Sequence, residues 1–128
     1  MLSTPSIMGL HLHYRLWISE LNQDITVLRI FNDYLQEIKN RKVEPEIQNR
    51  VNRFKMQFSD LRNEIDELRH QMHLNKMKLA AESREGLKIS MEEMESDNHN
   101  DVENRYNTFR KSFDRMKNDF IHFESQSL

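Results

Sequence analysis

From Ile47 to Leu79 the chain places an apolar residue every three or four positions: Ile47, Val51, Phe54, Phe58, Leu61, Ile65, Leu68, Met72 and Leu79. Asn75 is the one polar residue in that row. Steps of three and four line up on one stripe of an α-helix, whereas a strand face repeats every two residues. The row therefore predicts a helix of about nine turns whose stripe must be covered by other elements.

Two further rows supply the cover. In the first, Leu10, Tyr14, Trp17, Leu21, Leu28, Phe31, Leu35 and Ile38 fill a heptad pattern with one gap at Asp24. Ile18, Ile25, Val27 and Tyr34 flank it and widen the apolar face beyond what a two-stranded coiled coil needs. In the last, Val102, Tyr106, Phe109, Phe113, Met116, Phe120 and Phe123 keep the same period. End signals agree. Lys39, Arg41 and Lys42 suit a helix C-terminus, while Glu44, Pro45 and Glu46 suit an N-terminus, as do Asp97, Asp101 and Glu103.

Turn-forming residues are scarce. The 128 residues include two Gly and two Pro, where average usage is about 7% and 5%. Hairpins, sandwich turns and Gly-rich phosphate loops lose their usual material. The expected fold is all-α: an elongated antiparallel three-helix bundle running up-down-up. Its helices cover about 10–40, 45–82 and 101–125, after an N-terminal arm at 1–9, in a single domain over 10–128. A long connection over 84–98 joins the second and third helices. There Leu87, Ile89, Met91 and Met94 fall out of register with the last row and are expected to fold over the bundle end. The competing architecture pairs the same three helices into a dimeric six-helix bundle.

Several functions are excluded or disfavoured. The chain has no Cys, which removes disulfides, thiolate metal sites and Cys nucleophiles. Charged residues are 31% of the chain but sum to −2, so there is no broad basic footprint for nucleic acid. No window is apolar enough to span a membrane, and the N-terminal residues do not read as a signal peptide. A cytoplasmic location is the expectation. The nucleophile elbow, the phosphate loop, the dinucleotide fingerprint and the His-Glu-x-x-His motif are all missing, and the chain is expected not to be an enzyme.

The histidines form the most informative constellation. Folding the first two helices about Lys42 sets residue i level with residue 86 − i. Folding the third helix back then brings five of the six histidines, His11, His13, His70, His73 and His99, to one end. Glu67 and His70 have Glu-x-x-His spacing, half of a ferritin-like di-metal pattern. His13, Glu67, His70, His73 and His99 are therefore the candidate transition-metal ligands. His70 and His73 occupy outward heptad positions, near a small apolar patch of Leu74 and Met77. Solvated histidines without a ligand and a pH-sensitive bundle end are the alternatives. No other cofactor is expected.

Asp24 stands at a core position, where a bare carboxylate would be costly. The level rule sets it opposite Arg62, and Asp24, Arg62 and Asn75 are expected to form a structural polar core that fixes register.

Three stretches, His11–Leu21 (HLHYRLWISEL), Phe54–His70 (FKMQFSDLRNEIDELRH) and Phe109–Phe123, together resemble a group of short helical-bundle proteins of Bacteroidetes bacteria. The resemblance implies a small intracellular helical protein. It brings no activity and no functional residue. The early Trp also resembles spectrin-type repeats, but the single copy and the long second connection argue against them. Leu16 and Ile30 lie at outward positions beyond an already wide face. The expected function is accordingly non-enzymatic: contact with a protein partner or a second copy, as a homodimer, without nucleic acid or membrane. The alternative is a metal-binding or pH-responsive protein that uses the histidine-rich end.

Overall fold

The computed structural model describes residues 7–85 and 99–127. They form three α-helices and no strand: α1 Ile7–Arg41, α2 Pro45–Glu85 and α3 Asn100–Ser127. The helices pack side by side as a bundle. Set beside the expected 10–40, 45–82 and 101–125, the helices run 7–41, 45–85 and 100–127, so residues 7–9 of the expected arm lie in α1. Expectations for the arm at 1–6 and for residues 86–98 lie outside the described residues.

The α1–α2 turn is short because the sequence ends one helix and starts the next within three residues. Lys39 and Arg41 fall in the last turn of α1, where cations offset the partial negative charge of the free carbonyls. Pro45 opens α2, where its missing N–H costs nothing, and Glu46 lies in the same turn. The Gln48 side-chain amide donates to Lys39 O and Lys42 O, satisfying two carbonyls beyond the reach of α1's own ladder. Contacts between α1 and α2 continue from there through Arg69 with Asn22 (2.8 Å) to Asn75 with Tyr14 (3.2 Å).

All three rows read from the sequence enter one core. Leu21, Ile38, Ile65, Leu68, Met72, Leu79, Phe113, Met116 and Phe123 are fully shielded from solvent. Near the α1–α2 turn the core is aromatic. Phe31 stacks on Phe120, Phe54 meets Phe120 edge-on, and Phe58 lies 5.3 Å from Phe120 between ring centres. The Arg50 guanidinium caps Phe123 from outside at 4.5 Å. Further along, the core turns polar. Asp24, Asn75 and His99 are all buried, where the same three-and-four spacing would have accepted Leu.

Candidate functional site

Asp24, Asn75 and His99 belong to two polar clusters joined by Trp17. In the first, Asp24 faces α3 and receives both terminal nitrogens of Arg110, at 3.1 and 2.6 Å. Arg110 Nε lies 3.1 Å from Glu20 Oε1 but makes no well-aimed hydrogen bond of its own. The Tyr106 hydroxyl donates to Glu20 Oε2. Burial pushes the Asp24 carboxyl above the ordinary range of an aspartate, and the bonds and charge of Arg110 pull it back. Burial and the bond to Glu20 raise the Tyr106 hydroxyl strongly, so it stays protonated and acts as a donor.

This arrangement corrects the expected Asp24–Arg62 pair. Arg62 pairs with Asp66 one turn along its own helix, at 3.2 Å, and both side chains are well exposed. Asp24 is turned toward α3, and the cation there is Arg110.

In the second cluster four residues form a directed chain. Gln71 Nε2 donates to Asn75 Oδ1 at 3.0 Å, and Asn75 Nδ2 donates to the Tyr14 oxygen at 3.2 Å. The Tyr14 hydroxyl in turn bonds His99 Nδ1. With the Tyr14 oxygen accepting from Asn75, the hydroxyl proton is assigned to His99 Nδ1, which requires a neutral ring with its proton on Nε2. Burial holds His99 below its ordinary value of 6.5, and the charge of Lys78 adds to the effect. Burial pushes Tyr14 up to about 12, against the bond from Asn75. Trp17 stacks on Tyr106 at 5.1 Å and meets Tyr14 edge-on at 5.6 Å, so the two clusters form one polar and aromatic seam where α1 meets α3, with Asn75 and Gln71 of α2 at one end.

The candidate metal ligands are not gathered. His99 is buried and bonded to Tyr14. Glu67 is drawn to Arg105 on α3 at 3.1 Å. His13 is exposed and lies over Trp17 at 5.7 Å. His70 and His73 are exposed on α2. Partial burial lowers His73 first, followed by the charges of Lys76, Arg69 and His70. Among the described residues no group of three His, Cys, Asp or Glu side chains is placed to hold a metal ion. The local charge around His73 is cationic, which opposes a metal ion.

The other surface depressions are shallow. One of about 440 Å³ between α1 and α2 is lined by Arg29, Asp33, Lys55 and Arg62 among others, with Asp33 its only carboxylate. That lining offers no pair of acids for general acid–base chemistry. Among the described residues no helix is long and apolar enough to cross a membrane.

The opposite side of α1 carries a different feature. Leu12, Leu16, Ile30 and Tyr34 are each about half exposed or more, and Ile121 of α3 lies beside them. Ile30, Phe31, Tyr34, Phe120 and Ile121 line an apolar groove of about 130 Å³. Sequence reasoning found Leu16 and Ile30 by their outward heptad positions. It missed Glu20, Arg110 and the Gln71–Asn75–Tyr14 chain. The available signal was the tyrosine in each of two largely apolar rows, because a buried hydroxyl needs a partner.

Family models, curated proteins and solved structures were all compared with the chain, and none matches it.

Proposed function

We propose that this chain is a non-enzymatic up-down-up helical bundle that works by protein–protein contact, through the outward face of α1. The observation that carries the reading is that α1 is apolar on two opposite faces. Tyr14, Leu21, Leu28 and Leu35 fill the core, while Leu12, Leu16, Ile30 and Tyr34 stand in solvent. One apolar face is what a bundle requires of its helix; a second, exposed one is the mark of an interaction surface. The pairing of buried polar groups with one another supports a structural use for them.

The test replaces Leu16 and Ile30 together with Glu. Both side chains are exposed, so thermal melting should stay within a few degrees of the parent. Light scattering across a concentration series, together with capture of proteins from the host, should show the parent forming a complex that the variant loses. If the parent stays monomeric and retains nothing that the variant does not, the reading fails.

A second reading, a pH-responsive bundle end, is favoured by His99, a buried neutral imidazole that accepts the Tyr14 hydroxyl. Its test is the acid dependence of stability described in the Discussion.

A further inference from the structure

The outward row of α1 reads Leu12, Leu16, Ser19, Gln23, Val27, Ile30 and Tyr34, in steps of four, three, four, four, three and four. The order of steps is the same from either end, with Gln23 at the centre. At about 100° per residue the seven fall within a strip of roughly 80°, on the face opposite Leu21. Ser19 and Gln23 are exposed, and Val27, at the edge of the strip, is half-buried and also packs against the core. The strip is about 33 Å long.

A surface that is its own mirror in spacing fits one occupant best, a second copy of itself. Isologous pairing requires that whatever residue i meets on the partner meets i in return. We propose that two copies of this chain associate through α1, antiparallel, about a two-fold axis passing beside Gln23. The proposal rests on the reading of α1's outer face as an interaction surface and adds its occupant and register. Leu16 then lies opposite Ile30 of the second copy, Leu12 opposite Tyr34, and the small Ser19 opposite the branched Val27, each contact made twice.

Two independent features agree with that register. A two-fold axis perpendicular to both helices brings like flanks together. Arg15 and Asp33 share one flank of the strip, both exposed. The register sets Arg15 within about 3 Å in height of Asp33 on the second copy. Parallel pairing would separate the same two by about 27 Å. On the other flank is the groove of Ile30, Phe31, Tyr34, Phe120 and Ile121. Leu16 of the second copy lies level with Ile30 on that side and is the side chain that enters it. The exposed Ile121 is covered in the same step.

The absence of Cys makes the register directly testable. Single substitutions Gln23→Cys, Leu12→Cys and Ser59→Cys are made in the full chain and oxidised mildly at low concentration. Gln23→Cys should form a covalent dimer, because its two copies meet at the axis. Leu12→Cys alone should not, because its two copies stand about 33 Å apart, but a mixture of Leu12→Cys with Tyr34→Cys should. Ser59→Cys, exposed on α2, is the control and should remain single. In light scattering, Arg15→Asp should weaken the dimer, and Arg15→Asp combined with Asp33→Arg should restore it.

A dimer in which Leu12→Cys cross-links to itself overturns the antiparallel register and leaves the outer-face reading standing. A dimer indifferent to Leu16→Glu places the interface elsewhere and overturns the proposal. A chain that stays monomeric at every concentration also overturns it. The outer-face reading then stands or falls on whether Leu16 and Ile30 are needed to retain a different protein.

Discussion

Arg110 of α3 holds Asp24 of α1 with both of its terminal nitrogens, one to each carboxylate oxygen. The Asp24 side chain is 7% exposed and that of Arg110 is 21% exposed, so water screens the pair only in part. Removing Asp24 takes away the one buried partner of Arg110 and leaves it only the more exposed Glu20 and Asp114. Asp24→Ala should therefore cost about 3 kcal/mol in urea unfolding. Replacing the pair together, as Asp24→Leu with Arg110→Met, should recover most of that loss. A double variant that loses the sum of what Asp24→Leu and Arg110→Met lose singly would show that the pair has no special coupling.

The chain ending at His99 predicts an acid-sensitive fold. The His99 proton would sit on Nδ1, where the Tyr14 hydroxyl now donates, and that hydroxyl would lose its acceptor. Lys78 on α2 adds unfavourable charge, and burial disfavours the imidazolium. The folded value lies below the unfolded one, so the unfolded chain binds the extra proton. The contribution of His99 is complete above about pH 6.5 and declines as pH falls from there toward the lowered folded value. Melting temperatures at pH 7.5 and 5 should show the decline, and His99→Gln should flatten that part of the profile. His99→Ala at pH 7.5 should cost roughly 1–3 kcal/mol by leaving the buried Tyr14 hydroxyl proton without an acceptor.

Core and surface substitutions should separate cleanly. Phe58→Ala and Leu68→Ala empty positions that are 2% and 0% exposed, and each should cost about 2–5 kcal/mol. Met56→Ala, at 68% exposure on the same helix, should stay within about 0.5 kcal/mol of the parent. Chemical denaturation of the three variants, with the slope unchanged, decides the matter.

Replacing both His70 and His73 with Ala should leave melting temperature and oligomeric state unchanged, because both rings are exposed. Elemental mass spectrometry on untagged, gently purified protein is expected to find no stoichiometric zinc, iron, copper or nickel. One metal per one or two chains, lost in the double variant, would restore the histidine end as the functional centre.

The three helices were legible because a stripe of Phe, Leu, Ile and Met at steps of three and four has one structural solution. The polar layers were legible as positions: Asp24 and Asn75 each interrupt a row, and both are buried. Their partners were not. An Asp at a core position can turn toward either neighbouring helix, and the level rule described only the nearer turn. Asp24 faces α3, whose height against α1 is not fixed by the period of its own row. The histidines failed to gather for a related reason. Proximity of levels says nothing about direction: His70 and His73 point to solvent, while His99 points inward to Tyr14.

Trp17 is the chain's one tryptophan, stacked between Tyr106 and His13 and set edge-on to Tyr14. Its fluorescence is therefore a private channel onto the junction of α1 with α3. Acid that unseats His99, or a partner that levers the two helices apart, would change the colour and yield of a single emitter, while events at the Gln48 staple would pass unseen. The molecule carries its own optical gauge at the place where its buried polar groups meet.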